Sequence, residues 1–295
     1  MVSPPAVFRG ESVMKLVCGV HSLDLCAPRV MGILNVTPDS FSDGGRFLSA
    51  EAAVSRARAM QQAGAAIIDV GGESTRPGAA PVSEEEELAR VLPVIESLSA
   101  SLEVPVSVDT MKPRVMTAAV AAGASLINDV NALQAPGAMD AAAASGAAVC
   151  LMHMQGRPRT MQQRPVYADV VSDVRTFLAE RVRDAMAAGI PRDRIVVDPG
   201  FGFGKTLAHN LRLLESLDRF VALGVPVLAG ISRKSMIGTL LGDRPADDRL
   251  HGSVAAAVIA AMKGARILRV HDVAATVDAL KVVTAVMESA QESDV

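Results

Sequence analysis

An α/β chain that closes into a (β/α)8 TIM barrel is the fold this sequence predicts, and three observations carry the expectation. One pattern recurs eight times: a short apolar, β-branched burst, then a turn-rich loop opened by a polar residue, then a helical segment. No linker or change of composition interrupts the eight units, so they belong to one domain. The loops that follow the bursts carry acids, amides and cations. The loops that precede them are plain turns such as Ala63-Gly-Ala65, Ala122-Gly-Ala124, Ser145-Gly-Ala147 and Lys263-Gly-Ala265. Such asymmetry suits a barrel of about 250 residues, whose chemistry sits on the carboxyl rim of the strands. A doubly wound open sheet is the alternative, but no Gly-rich first-turn fingerprint marks one.

In order along the chain, residues 1–13 are mixed polar and small, a loose leader to a barrel domain spanning 14–290; 291–295 form a short tail. Lys15–Leu25 has the pattern of a hairpin turning near Gly19–Ser22, suited to covering the barrel bottom. Val30–Leu34 is the first buried strand and ends at Asn35; the loop Thr37–Gly45 and a helix from Ser49 to about Ala63 follow. Ala66–Val70 opens into Gly71–Gly78, with a helix from Ser83 to Ser101. Ser83 and Glu86 have capping-box spacing, and Glu84–Glu87 suit the positive end of the helix dipole. Val104–Val108 ends at Asp109 and leads to a helix at Pro113–Ala122, where proline is tolerated in the first turn. Ser125–Ile127 ends at Asn128-Asp129, before a short helix at Ala138–Ala144. Ala147–Met152 opens into His153–Thr160, before a long helix at Ala168–Ala188.

Ile195–Val197 ends at Asp198, then Pro199 and three glycines (Gly200, Gly202, Gly204) let the backbone turn sharply and approach a ligand. The stretch is neither a P-loop, which would need glycine where Pro199 stands, nor a dinucleotide fingerprint. One helix is expected from Thr206 to about Leu223. Val225–Gly230 is the seventh strand, followed by Ser232–Ser235 and helix to Lys263. Arg266–Leu268 is the eighth, ending in Arg269–Asp272 before a helix to about Ser289.

Bulk properties narrow the function. The net charge of −3 over 295 residues, with no basic block, does not indicate a nucleic-acid surface. No apolar run is long enough to span a membrane and no secretory signal is visible. Three cysteines favour a reducing cytoplasm over a disulfide framework. Cys18, His21 and Cys26 lack a fourth ligand at usable spacing, so zinc is not expected there. The fourteen methionines read as core filler.

A parallel barrel brings Asn35, Thr75, Arg76, Asp109, Asn128, Asp198, Lys234, Arg269 and His271 to one rim. So many polar strand ends are hard to explain as packing, because buried polar groups without partners cost free energy. Asp109, Asn128 and Asp198 are acceptor-rich and suit a flat heterocycle with an amino-amidine edge, a guanine or a pterin. Lys234, Arg269 and His271, with Arg76 and Arg233, suit an anion such as phosphate. Asn35 with Asp39 and Asp43 suits a magnesium ion that keeps most of its waters. His153 reads as a loop-packing residue or a pterin contact. His21, His209 and His251 read as surface or helix residues, and Asp69 and Glu73 as braces for loop 2.

Four stretches resemble the dihydropteroate synthase family: Gly32–Gly45, Asp69–Gly78, Asp198–Lys205, and Ser232–Gly238 with Arg269–Asp272. The resemblance covers roughly residues 14 to 290 and implies condensation of p-aminobenzoate with 6-hydroxymethyl-7,8-dihydropterin diphosphate. It implies that Asp109, Asn128, Asp198 and Lys234 hold the pterin. Arg269, His271 and, through Mg2+, Asn35 would serve the diphosphate. Thr75, Arg76, Pro77, Phe203, Ser232 and Lys234 would shape the aminobenzoate site, where sulfonamides compete. Asp109, Asp198 and Lys234 are the expected catalytic residues, and a homodimer is implied. Two rivals remain, a pterin-binding methyltransferase domain acting on a methylfolate and a non-catalytic pterin-binding paralogue. The cations at Lys234, Arg269 and His271 argue against the first, and the presence of Asn35, Lys234 and Thr75-Arg76 against the second.

Overall fold

The computed structural model describes residues 14–36, 46–74, 81–157 and 160–292. The expected leader, the whole of the loop Thr37–Gly45 with Asp39 and Asp43, and Thr75, Arg76 and Pro77 of the loop Gly71–Gly78 lie outside these residues. An antiparallel hairpin, β1 (Lys15–Cys18) and β2 (His21–Asp24), precedes the barrel. The first barrel unit is β3 (Arg29–Asn35) with α1 (Arg46–Gln62), the second β4 (Ile67–Gly71) with α2 (Glu84–Ser99). Next come β5 (Val106–Asp109) with α3 (Pro113–Ala121), β6 (Leu126–Asp129) with α4 (Ala138–Ser145), and β7 (Ala148–Met152) with α5 (Val170–Ala187). β8 (Ile195–Asp198) is followed by α6 (Leu207–Glu215) and α7 (Asp218–Val221). β9 (Leu228–Ala229) leads to α8 (Ser235–Leu240) and α9 (Leu250–Met262), and β10 (Ile267–Val270) to α10 (Val273–Glu292).

The eight barrel strands are parallel in the order β8-β7-β6-β5-β4-β3-β10-β9. A parallel bridge between Val197 and Val227, with the Val197 N–H donating to the Pro226 carbonyl at 3.0 Å, brings β8 to the β9 edge and all but completes the ring. The expected barrel is thus present, and the open sheet is excluded. Two expected helices are each divided. The helix after β8 breaks at Ser216, and the helix after β9 at Gly242-Asp243, both with positive φ, followed by Pro245. Proline and a left-handed pair cannot continue a helix.

Strand alternation assigns every side chain to one of two cores. Ile68, Val70, Val106, Val108, Ile127, Val149, Ile195, Val197, Leu268 and Val270 pack outward with the helices. Met31, Ile67, Leu126, Ala148, Cys150, Val196, Leu228 and Ile267 face inward and pack against Leu16, Cys18 and Leu25 of the hairpin region, all 0 % exposed. The hairpin therefore stoppers the amino-terminal end of the barrel, as its apolar alternation suggests. Among the described residues no helix is long and apolar enough to cross a membrane.

Because the stopper sits at the end opposite the polar rim, Leu16→Ala should lower the unfolding free energy by about 2–4 kcal/mol. Urea denaturation checks the loss, and the chemistry at the far rim should be nearly unaffected.

Candidate active site

The residues that carry the rim continue the inward rows. On β6, Leu126 faces the stopper and Asn128 stands two positions nearer the rim; on β8, Val196 and Asp198 repeat the relation. The register pairs Asp109 with Asn128 and with Gly71, and Gly71 with Asn35. A period of two and one register thus align Asn35, Gly71, Asp109 and Asn128 across the four neighbouring strands β3 to β6. Asn35 is exposed at the strand end. A Cβ on Gly71 would lie 3.5 Å from its Oδ1 and 3.7 Å from the Asp109 Cβ, so all three meet at the rim.

Arg269 ties the acids together. Its Nε donates to Asp69 Oδ2 at 2.6 Å and its Nη2 to Asp109 Oδ2 at 2.7 Å. Asn128 Nδ2 donates to the same Asp69 oxygen at 3.1 Å. Asp69 is 0 % exposed, and its partners among the described residues, Arg269 and Asn128, lie across the barrel interior. Glu73 does brace the loop Gly71–Gly78: it accepts from the Val82 N–H at 3.1 Å and from Lys112 at 2.7 Å. Burial pushes the Asp109 carboxyl up, to about 7, against the pull of Arg269. Burial also raises Asp198, with Lys234 opposing it, and lowers Lys234 to about 8.

The Gly-rich loop after β8 turns where Asp198 Oδ1 accepts the Gly200 N–H at 2.7 Å. Gly200 has φ +72°, and a Cβ there would overlap the His153 carbonyl oxygen, so only glycine fits. Beyond it, Phe203 packs with Val130, Met152 and Met161. Lys234 extends over this loop, donating to the Phe201 carbonyl, with its Nζ 4.6 Å from the Phe203 ring centroid. Ser232 and His271 meet through Ser232 Oγ and His271 Nδ1 at 3.1 Å. Arg233, considered for the anion, is forked onto Asp272 at 3.0 and 2.6 Å and also held by Asp247 at 2.9 Å.

The structure therefore gathers Asn35, Asp109, Asn128, Asp198, Phe203, Ser232, Lys234, Arg269 and His271 on the loops and strand ends of one rim. Asp69 is the residue that sequence reasoning undervalued. Its signal lay in the alternation Ile67, Ile68, Asp69, which places it on the inward row with Ile67. Among the described residues no group of three or more His, Cys, Asp and Glu could hold a metal. One exposed amide oxygen, that of Asn35, is the donor β3 offers, and it suits a largely hydrated magnesium ion. The three histidines read as peripheral sit on β2 (His21), at the first turn of α6 (His209, which completes a capping box with Thr206) and exposed on α9 (His251).

Arg269→Met would leave Asp69 and Asp109 buried without their cation, a loss of about 3–5 kcal/mol. A carboxyl whose folded pKa is raised stabilises the fold below its unfolded value, and that stability disappears as pH rises through the folded value. Loss of Arg269 raises the Asp109 carboxyl further, so the deficit of Arg269→Met relative to the native chain should grow as pH rises above about 7, where the native carboxyl ionises, and urea denaturation at several pH values checks this.

The family model of the pterin binding enzymes matches residues 31–271. The dihydropteroate synthase of Escherichia coli (strain K12) is 56 % identical over 280 residues, 95 % of this chain and 99 % of its own. A Yersinia pestis dihydropteroate synthase, solved in a sulfonamide drug complex, superposes with a TM-score of 0.89 at 53 % identity, covering 93 % of this chain and 100 % of that one. The Xanthomonas albilineans enzyme, solved in complex with 7,8-dihydropteroate, gives 0.85 at 54 % identity, covering 92 % and 98 %. With identity this high over nearly its whole length and the same barrel around its rim, the chain belongs to the dihydropteroate synthase family.

Proposed function

We propose that the protein condenses 6-hydroxymethyl-7,8-dihydropterin diphosphate with p-aminobenzoate, giving 7,8-dihydropteroate and pyrophosphate. The observation that carries this is the convergence of Asp109, Asn128 and Asp198 on the inward rows, with Lys234, Arg269 and His271 beside them. The acids and the amide accept from the amino-amidine edge of a pterin. Arg269 spends Nε and Nη2 on Asp69 and Asp109, and its remaining N–H groups, with His271, serve the diphosphate. The 7,8-dihydropteroate held by the Xanthomonas albilineans enzyme joins both halves of that chemistry in one molecule.

The bond that breaks joins the pterin methylene to the diphosphate oxygen, and its electron pair leaves with pyrophosphate. The ring delocalises the positive charge that develops on the methylene, and the Asp109 and Asp198 carboxylates favour that charge electrostatically. Lys234 lies between ring and anion. The amino nitrogen of p-aminobenzoate then attacks the methylene and releases a proton. The path is dissociative, S_N1-like. Asn35 would hold Mg2+, which when bound supplies charge to the leaving pyrophosphate.

Phe203, Ser232 and Lys234, with Thr75, Arg76 and Pro77 of loop 2, form the aminobenzoate subsite. The sulfonamide complex of the Yersinia pestis relative supports competition there. A homodimer through α8–α10 is part of the same proposal. Leu240, Ile259, Met262, Val282 and Val286 stand 46–65 % exposed on these three helices.

Steady pyrophosphate release with dihydropteroate formation from the purified protein should need Mg2+ and be strongly accelerated by p-aminobenzoate. No release with both present, or release that p-aminobenzoate leaves unchanged with no dihydropteroate formed, would overturn the assignment. Asp109→Asn should keep the fold and cut turnover by roughly 100-fold or more, as removal of a charge-stabilising group does. Protonation of Asp109 removes an acceptor, so pterin affinity should fall as pH drops below about 7, the value to which burial raises this carboxyl. Calorimetric titration with a pterin checks this, and Asp109→Asn should flatten the dependence.

A further inference from the structure

Lys205 closes the Gly-rich loop just before α6, is 3 % exposed, and has no part in the chemistry above. Its ammonium turns inward and collects acceptors from two loops. It donates to the Gly200 carbonyl at 2.8 Å and the Phe203 carbonyl at 3.0 Å within its own loop. Across the gap it meets the His153 carbonyl at 3.3 Å and His153 Nδ1 at 3.0 Å. An ammonium has only donors, so Nδ1 must present its lone pair. Burial, with Lys205 adding to it, pulls the His153 pKa down to about 3, which keeps the ring neutral and accepting. The ring itself is wedged edge-on against Phe177, with centroids 4.9 Å apart.

The charged groups facing Lys205 are Asp198 at the end of β8, which favours its charge, and Lys234 from the loop after β9, which opposes it. Burial, with Lys234 acting in the same direction, outweighs Asp198 and lowers its pKa to about 7. A buried cation is often no more stabilising than an apolar side chain of the same volume, so stability alone does not account for a lysine here. What the lysine controls is geometry. One of its acceptors is the carbonyl of Phe203, whose ring faces the Lys234 ammonium at 4.6 Å. Other ties on this loop hold different points: Asn210 accepts the Gly202 N–H at 2.7 Å, and Tyr167 donates to the Gly204 carbonyl at 2.8 Å.

The geometry points to Lys205 as a positioning residue, which by gathering the carbonyls of His153, Gly200 and Phe203 sets the Phe203 ring against Lys234 and so shapes the p-aminobenzoate subsite. This rests on the proposal that Phe203 borders that substrate. Steady-state kinetics on Lys205→Met, Phe203→Ala and the double variant test it. Lys205→Met should raise the KM for p-aminobenzoate about tenfold, with kcat and the KM for the pterin diphosphate within about twofold, the mark of lost binding rather than lost chemistry. In the Phe203→Ala background the same change should add less than about twofold, because the two residues act through one contact.

A fall in kcat with both KM values unchanged would mean a smaller active fraction and overturn the proposal, as would full multiplication of the two single effects. Should Phe203→Ala leave the p-aminobenzoate KM unchanged, the subsite assignment itself is wrong. Should Phe203→Ala raise it while Lys205→Met does not, the role of Lys205 alone is wrong. If Lys205→Met does not fold, Lys205→Gln, which keeps two N–H donors, carries the same comparison.

Discussion

The bridge from Arg269 to Asp69 and Asp109 is the contact on which the rim depends. It joins β10 to β4 and β5 through the interior of the barrel, at 2.6 and 2.7 Å. Two carboxylates taken from water beside each other would repel, and one guanidinium between them offsets much of that cost. The compensation is incomplete, since Asp69 Oδ1 is buried without a partner among the described residues and Asp109 remains hard to ionise. A site held so close to electrostatic imbalance is ready to receive donors and a developing positive charge. Asn128, bonded to Asp69, is fixed by the same bridge.

Around that bridge the barrel divides labour by strand parity. Outward positions carry the packing of helices on sheet, and inward positions below the rim pack on the hairpin. The last inward positions of the strands carry the rim, and Asp69 lies one step below them, in register with Ser107. Asn128 and Asp198 can therefore be polar without weakening the apolar layer of Leu126 and Val196 beneath them. The glycines at the turns let loops approach one another: Gly200 lies against the His153 carbonyl and Gly204 against the Gln155 carbonyl.

Much of this was legible before the structure. Apolar bursts ending in Asn35, Asp109, Asn128 and Asp198 marked the strand ends, and the alternation of Leu16, Leu23 and Leu25 marked a hairpin with a face to bury. What local patterns could not convey was partnership across the barrel. Asp69 and Arg269 are 200 residues apart, and nothing in either neighbourhood names the other. Arg233 looked as free to bind an anion as Lys234 until Asp272 was seen to hold it. Lys205 followed the glycines like a phosphate-binding lysine, and only the fold turns its ammonium inward. The break at Gly242-Asp243 was missed because apolar residues continue on both sides of it.

The hairpin stopper has a consequence for traffic. A barrel sealed at one end has a single mouth, so molecules cannot pass through it; they must queue. On the proposed function, the pterin beside Asp109 and Asn128 would have to arrive before the aminobenzoate that rests on Phe203 and Lys234. The joined molecule would then back out along the way its parts came in, and a second visitor settling early on the upper ledge would shut the door on the first.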